Sequence, residues 1–388
     1  MLRPQPLGVF PFPAGLLLLP DVDPSKRTAL NGLMRGDATT PVPSEWRFFQ
    51  LALTGDYPSA LAAVDGTDAI AVHNRIALGA DLDEAGNILR DAVRYAVGRT
   101  DHPPDAGDLD AELRAFVLML QATQSIEQNH FARAIPVLRE AVAAARTASP
   151  EFAAQLLGQL AALESDQPAL AMQHYREALL IANGPARAEL SLQLGILLQD
   201  HAKGNRAALL EAVKAYQDAL RFGIALEQNP ESFALLQNNL ALAYLAMPMA
   251  ESGDQLRMGI AVQSLRDALK VYTKEKYPEQ WASTQLNLAN ALQYIPTSHP
   301  EENLIQAVEI YDEILSVRKK AFDPVGYARL LANQANALAH LGIFAPAMEK
   351  ISEAYKLFQW HNEPEMAASA MSLVESISEQ RGQPHGSA

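Results

Sequence analysis

Three segments decide the fold of this chain: Asn229-Pro-Glu-Ser-Phe-Ala, Tyr277-Pro-Glu-Gln-Trp-Ala and Asp323-Pro-Val-Gly-Tyr-Ala. They share the pattern x-Pro-x-x-aromatic-Ala, and their prolines recur at intervals of 48 and 46 residues. A second matching run follows each segment at a similar distance, namely Asn238-Asn-Leu-Ala, Leu286-Asn-Leu-Ala and Ala332-Asn-Gln-Ala. Three coincident matches at one spacing identify an internal repeat.

Each repeat is predicted to be a helical hairpin. Proline suits the first turn of a helix, where its missing N–H leaves no bond unmade. Beyond the proline, apolar residues such as Leu236, Leu240 and Tyr244 follow helical spacing rather than alternation. A loop and a second amphipathic helix follow, the latter predicted over residues 261–272 and 307–317 of two repeats. The loops at 247–259 and 294–303 are long, which fits either partner contacts or simple length variation.

The same pattern extends through the chain. Further prolines stand before predicted helices at Pro150, Pro185 and Pro364. Second helices carry a small–large–small triad with fixed offsets: Ala134, Leu138, Ala141; Ala171, Tyr175, Ala178; Ala212, Tyr216, Ala219; and Ala347, Ile351, Ala354. The small residues let two helices approach closely, and the large residue fills the space between hairpins.

At these positions the chain resembles the tetratricopeptide repeat family, whose unit has a Leu-Gly-like pair in its first helix and an Ala-x-x-x-Phe-like pair in its second. The first pair is represented by Leu157-Gly158, Leu194-Gly195, Leu240-Ala241, Leu288-Ala289 and Gln334-Ala335. The extra residues between the central helices resemble a bacterial long-loop variant. The resemblance implies an all-α, right-handed superhelical solenoid of helix–loop–helix hairpins that binds a partner.

The expected organisation has four parts. Residues 1–43 form a Pro-rich leader, 44–108 degenerate helical hairpins, 109–362 the repeat array, and 363–388 a capping helix with a disordered tail. The apolar stretch from Leu7 to Leu19 is interrupted by Pro11 and Pro13, so it does not predict a membrane span. We expect an ordered leader packed on the first helices; a docking segment is the alternative.

Composition limits the function. The chain has 388 residues, a formal net charge of −14 and no cysteine. The negative charge disfavours nucleic acid and anionic membranes as partners, and the lack of a targeting segment favours a cytoplasmic location. Phosphate-binding glycine loops and the Gly-x-Ser-x-Gly nucleophile motif are absent from the sequence, and its nine histidines show no helical metal pair. We therefore expect no catalysis, no metal and no cofactor.

Asparagines recur at matched positions of successive first helices. These residues, with an arginine one turn before the last pair, form the predicted contact set: Asn238, Asn239, Asn287, Asn290, Arg329, Asn333 and Asn336. Three-residue steps such as Asn287 to Asn290 place each pair on one helical face. An amide offers donors and an acceptor to a peptide unit, and Arg329 can receive a carboxylate. The alternative is that the asparagines bond each other and only hold repeat to repeat.

The sequence therefore predicts a non-enzymatic scaffold or adaptor that holds a protein or peptide in the groove of the array, for assembly, maturation or regulation of that partner. A ligand-switched regulator is a second hypothesis. An enzyme with its site in the first 108 residues is a third, from a different class, and it requires a closed pocket with convergent ionisable groups. Trp360, at the end of a second helix, is expected to seal the last helix interface.

Overall fold

The computed structural model describes residues 17–21, 23–34, 36–80, 88–96, 98–107, 109, 111–249, 253–296 and 299–382. These residues form helices and no β-strand. They fall into two compact units, the first comprising residues up to Lys203 together with Lys214–Ile224, and the second comprising Gly204–Val213 together with residues from Ala225 onward.

The first unit contains ten helices among its described residues. They are α1 (Arg27–Met34), α2 (Arg47–Leu53), α3 (Tyr57–Ala62), α4 (Ala69–Ala77), α5 (Ile88–Ala96), α6 (Ala111–Glu127), α7 (Phe131–Ala148), α8 (Pro150–Leu163), α9 (Pro168–Leu179) and α10 (Gly184–Asp200). Helix α11 (Arg206–Phe222) contributes its first half to the second unit and its second half to the first.

The second unit continues with seven further helices among its described residues. They are α12 (Pro230–Leu245), α13 (Asp254–Leu269), α14 (Pro278–Tyr294), α15 (Pro300–Val317), α16 (Pro324–His340), α17 (Phe344–Trp360) and α18 (Pro364–Gly382). Consecutive helices pack in pairs, α12 with α13, α14 with α15, and α16 with α17. The predicted all-α fold of tetratricopeptide-like hairpins is confirmed.

The repeat prolines begin helices as the sequence predicts. Helices α8, α12, α14, α16 and α18 all have proline as their first residue, where no intrahelical N–H bond is lost. At α16 the preceding Asp323 also caps the helix, because its Oδ1 accepts a 2.8 Å bond from the backbone N–H of Gly326. The x-Pro-x-x-aromatic-Ala segments are therefore helix starts.

Small–large–small triads form the hairpin interfaces. The large residue of each triad is buried, and its identity varies along the chain: Leu138, Tyr175, Tyr216, Leu265 and Ile351. In α15 the equivalent residue, Tyr311, is also buried, although Ile314 takes the place of the second small residue. The neighbour of the large residue in the first helix can be very small. A Cβ added to Gly195 would lie only 2.5 Å from the ring of fully buried Tyr216, so the glycine makes room for the tyrosine.

Two second helices are longer than predicted. Helix α13 begins at Asp254 rather than 261, and α15 begins at Pro300 rather than 307, so part of each long loop is helical. Asp254, 2% exposed, forms 3.2 Å ion pairs with Arg206 and Arg257. Arg257 also donates a 2.9 Å bond to the carbonyl of Met247 and another to that of Tyr244. Charged residues in a predicted loop are expected to be exposed, but Asp254 and Arg257 are buried, and their bonds hold the turn between α12 and α13.

The described part of the leader is packed as expected. Leu17, Leu18 and Leu19 are buried, whereas residues 7–16 of the same stretch lie outside the described part. Asn74 of α4 holds the backbone of Leu18 with two bonds, accepting from its N–H at 2.8 Å and donating to its carbonyl at 2.9 Å. Trp46 fixes the next turn through a 2.7 Å bond from Nε1 to the carbonyl of Pro20.

The expectation for Trp360 is wrong. Its side chain is 84% exposed at the end of α17, and it does not seal the last helix interface. Phe358, two residues earlier, is 2% exposed and belongs to the apolar core formed by α16, α17 and α18. The helical period turns Trp360 away from the face that carries Ile351 and Phe358.

Candidate peptide-binding groove

A groove in the second unit lies along the first helices of successive repeats. It is an open cavity of about 670 Å³, and α14, α16 and α18 supply most of its walls. Helix α17 contributes its buried residues Ile351 and Phe358. The polar residues that line the groove are Asn290, Gln293, Tyr294, Arg329, Asn333, Asn336, Glu365 and Ser369.

Four of the seven predicted contact residues line this groove. They are Asn290 on α14 and Arg329, Asn333 and Asn336 on α16. The other three lie on earlier helical turns, Asn238 and Asn239 on α12 and Asn287 on α14, and do not line the cavity. Their role as ligand contacts stays a prediction.

The asparagines bond each other from repeat to repeat. Asn333 Nδ2 donates to Asn290 Oδ1 at 3.0 Å, and Asn287 Nδ2 lies 3.4 Å from Asn238 Oδ1. Asn336 Nδ2 donates to Gln293 Oε1 at 2.9 Å. The inter-repeat ladder that the sequence left as an alternative is therefore present. It does not exclude ligand contact, because each amide has more bonding groups than the ladder uses.

A buried tyrosine connects this ladder to the second helix behind it. Tyr311 of α15 is 0% exposed, accepts a 2.6 Å bond from Gln293 Nε2 and donates a 2.5 Å bond to Asn290 Oδ1. Burial is the main cause that raises the pKa of the Tyr311 hydroxyl far above its ordinary value. The hydroxyl therefore keeps its proton and remains a donor at neutral pH.

The network fixes which end of each amide remains for a ligand. Asn290 Oδ1 accepts from both Tyr311 and Asn333, so its Nδ2 is the group left over. Asn333 uses one of its two N–H groups for the ladder, and Asn336 Nδ2 contacts both Gln293 Oε1 and the Tyr294 hydroxyl. Within the described residues, Asn290 Nδ2 and the Oδ1 atoms of Asn333 and Asn336 have no hydrogen-bonding partner. Donors of Asn290 and acceptors of Asn333 and Asn336 match the alternating N–H and C=O groups of an extended backbone.

Gln293 and Tyr311 are the two residues of this network that the sequence interpretation missed. Gln293 continues the three-residue steps from Asn287 to Asn290, and this spacing could have identified it. No role was predicted for Tyr311, because its partners lie on another helix and depend on the hairpin geometry.

Arg329 is exposed at one end of the groove. Its Nε lies 3.3 Å from Sδ of Met366 on α18, and it forms no ion pair within the described ranges. Glu365, which also lines the groove, lies in the first turn of α18, where a carboxylate complements the helix dipole. The Arg329 guanidinium is thus available to donate hydrogen bonds to an acceptor group of a ligand.

The rest of the described chain adds little chemistry. Among the described residues, His, Asp and Glu side chains form no group able to hold a metal ion. None of the helices in these ranges combines the length and apolar character that a bilayer span requires.

Comparison with known proteins gives similarity at the level of architecture. No family profile and no curated protein matches this sequence. A tetratricopeptide repeat protein from Parabacteroides merdae is 17% identical over 70% of this chain and 94% of its own, with a TM-score of 0.42. The C-terminal part of a repeat protein from Cytophaga hutchinsonii is 13% identical over 84% and 92%, with a TM-score of 0.39.

A signal-transduction ATPase with a tetratricopeptide repeat sensor, from Pyrococcus horikoshii, is 13% identical and has a TM-score of 0.48. The match covers 92% of this chain and 52% of that protein. All three are described as containing tetratricopeptide repeats. At these identities and scores, function has to be argued from the residues of this chain.

Proposed function

We propose that this protein is a binding scaffold that holds an extended peptide segment of a partner protein in the groove formed by α14, α16 and α18. The observation that carries the proposal is the set of amide groups left over by the inter-repeat ladder. Asn290 Nδ2 and the Oδ1 atoms of Asn333 and Asn336 border a cavity of about 670 Å³. A peptide backbone offers complementary groups at short, regular intervals.

Preorganisation supports the proposal. Asparagine is a poor helix former, and in this groove its side chains are held by Tyr311 and Gln293 before any ligand arrives. Amides that are already oriented lose little conformational entropy on binding. A modest number of backbone contacts can then give useful affinity.

The groove also has an apolar side. Met366, Ala370 and Leu373 of α18 line it together with Phe358 of α17. These residues suit an apolar side chain of the bound segment, while Arg329 at the rim suits a carboxylate. We infer a peptide that combines at least one apolar anchor with an acidic group.

The role of an adaptor follows from this binding mode. A scaffold that holds one segment of a partner can assemble, mature or regulate it without chemistry of its own. The tetratricopeptide-like hairpins provide a preformed surface for this purpose.

The test uses two matched serines on α18. Ser369 and Ser378 are both exposed, and each donates its hydroxyl proton to the carbonyl four residues earlier, at 3.1 and 2.8 Å. Only Ser369 lines the groove. Peptides selected from a displayed random library on the full-length protein would be synthesised, and their affinities measured by fluorescence anisotropy for wild type, Ser369→Arg, Ser378→Arg and Arg329→Ala.

We expect Ser369→Arg to weaken binding at least ~10-fold by filling the groove, and Ser378→Arg to leave it unchanged. Arg329→Ala should weaken acidic peptides about 5-fold and neutral ones less, since it removes one rim charge. Equal affinity of the two serine variants, or failure to select any peptide, would refute the proposal. Circular dichroism confirms that the variants are equally helical.

A further inference from the structure

The first unit contains a separate cavity of about 470 Å³. It lies where the start of α1, the first turn of α8, the turn into α10 and the end of α11 meet. The residues that matter for its chemistry are Arg27, Asn31, Glu151, Asn183, Arg221 and Phe222. Two of these are cations, and one is an aromatic ring.

Two glycines bring the end of α11 against the start of α10. Gly184 has φ +55° and Gly223 has φ +153°, conformations that favour glycine. A Cβ added to Gly223 would lie 3.5 Å from Cα of Pro185, so the two chain segments are nearly in contact. This approach places Phe222 beside Asn183 in the cavity wall.

Phe222 is fixed in that wall by a third arginine. The guanidinium of Arg187 lies 4.6 Å from the centroid of the Phe222 ring. Arg187 is itself held by a 2.7 Å bond to the carbonyl of Leu179 and a 3.2 Å bond to Asp218. The apolar wall of the cavity is therefore rigid, because its supporting cation has partners of its own.

Arg27 and Arg221 differ from Arg187 in their acidic partners, although the Arg221 guanidinium also lies 5.6 Å from the centroid of the Phe222 ring. Within the described ranges neither has a carboxylate oxygen within 4.0 Å, whereas neighbouring Lys26 pairs with Asp23 and Glu45. Arg221 lies in the last turn of α11, where a cation is favourable. Arg27 is the first residue of α1 and follows directly on the short 3-10 helix Pro24–Lys26.

We propose that this cavity binds a small organic phosphate. Two guanidinium groups from different helices, Arg27 of α1 and Arg221 of α11, supply donors from two directions to the three oxygens of a phosphate monoester. A phosphate group fills only part of the cavity, which leaves room for an organic body against Phe222. The protein carries a net charge of −14, so binding of an anion depends on this local pair of arginines.

Substitution of Glu151 should change phosphate affinity in the opposite direction to substitution of the arginines. The Glu151 carboxylate lines the same cavity as the two arginines and lies in the first turn of α8. A bound phosphate would be repelled by it, so Glu151→Gln should tighten binding, whereas loss of either arginine should weaken it. Opposite effects from two walls of one cavity are not expected from a general change in stability.

The experiment is a ³¹P NMR titration of phenyl phosphate with the full-length protein at constant ionic strength. Wild type is compared with Arg27→Gln, Arg221→Gln, the double variant and Glu151→Gln, and Arg133→Gln on α7 serves as the control at an exposed site outside the cavity. Inorganic phosphate and phenylacetate are titrated in parallel, the latter followed by ¹H NMR.

Saturable binding of phenyl phosphate by wild type and Arg133→Gln is expected. Each arginine variant should bind about 5- to 10-fold more weakly, and Glu151→Gln about 3-fold more tightly. Inorganic phosphate should bind more weakly than phenyl phosphate, because it lacks the group that packs on Phe222. No saturation by wild type, an unchanged affinity in the double variant, or equal affinity for phenylacetate would overturn the proposal.

Discussion

Asn333 and Asn290 are 43 residues apart, and Nδ2 of Asn333 donates a 3.0 Å hydrogen bond to Oδ1 of Asn290. The same oxygen accepts the proton of Tyr311 at 2.5 Å. A buried residue of the second helix α15 therefore orients polar groups that line the groove. The predictions below test this coupling and the packing that surrounds it.

The Tyr311 hydroxyl should contribute to stability through its two bonds. Replacing Tyr311 with Phe removes them and leaves Gln293 Nε2 and part of the capacity of Asn290 Oδ1 unpaired next to the core. We expect the free energy of unfolding, measured by urea denaturation, to fall by about 2 kcal/mol. Tyr355→Phe is the control, since its hydroxyl accepts a bond from Gln359 at an exposed site and has no other partner among the described residues, and it should cost less than ~0.5 kcal/mol. Equal costs would contradict the network.

Gly195 should tolerate no side chain. Alanine is the better helix former by ~1 kcal/mol, yet its Cβ would meet the Tyr216 ring at 2.5 Å. Tyr216 is fully buried and cannot move aside, so we expect Gly195→Ala to destabilise by about 1–3 kcal/mol in urea denaturation.

The matched control for Gly195 is a glycine in the second unit. Gly259 lies inside α13, and a Cβ there would meet nothing within 4 Å. Gly259→Ala should therefore stabilise by up to ~1 kcal/mol. If both substitutions had the same sign, close packing against Tyr216 would not be the cause.

The ion cluster at the start of α13 should be far more important than an exposed pair on the same helix. Asp254→Ala leaves buried Arg257 and half-buried Arg206 without their shared carboxylate, and we expect a cost of about 3–5 kcal/mol. Asp267→Ala breaks a 2.6 Å pair with Lys270, whose side chain is 58% exposed, and should cost less than ~1 kcal/mol. Thermal and urea unfolding of both variants measure the difference.

High pH should destabilise the protein through its buried tyrosines. Burial, with a smaller contribution from Glu189, raises the pKa of Tyr175 to about 12. In the unfolded chain the pKa is about 10, so above pH 10 unfolding releases a proton that the folded state retains. The stability that protonated Tyr175 contributes is fully present below pH 10 and is lost as pH rises toward 12. Over that range the free energy of unfolding falls by about 1.4 kcal/mol per pH unit.

Tyr175→Phe isolates this effect. Between pH 10 and 12 the free energy of unfolding of the variant should fall less steeply than that of wild type. The difference in slope should be about 1.4 kcal/mol per pH unit, which corresponds to one proton. Burial also raises the pKa of Tyr216 and of Tyr311, so the variant should retain part of the dependence. Identical slopes in urea titrations at several pH values would show that Tyr175 ionises normally in the folded state.

Much of the fold could be predicted from the sequence, because proline and triad positions are local signals. The helix starts at Pro230, Pro278 and Pro324 are confirmed to the residue. The start of α13 was missed because Asp254 and Arg257 lie in the predicted loop, and their burial depends on partners from elsewhere, Arg206 and the carbonyls of Tyr244 and Met247. Trp360 was expected to seal an interface because it ends a second helix, although its position on the helix turns it outward.

The site was predicted in part for the same reason. Repetition identified Asn290, Asn333 and Asn336, whose bonds depend on equivalent positions in neighbouring repeats. The network that orients them needs Tyr311, which lies on another helix, and no spacing within one helix indicates that pairing. The cavity between α1 and α10 was not predicted at all, since Arg27 and Arg221 are brought together only by the tertiary fold.

The varying residue at the centre of each triad has a consequence for protein engineering. Tyr311 fits because polar amides stand opposite its hydroxyl, and Tyr216 fits because Gly195 clears its ring and Gln199 accepts its proton at 2.8 Å. Leu138, Leu265 and Ile351 occupy the same place with no such requirement. The hairpins are therefore not interchangeable modules: shuffling, duplicating or inserting them would separate Tyr216 and Tyr311 from the helices that accommodate them.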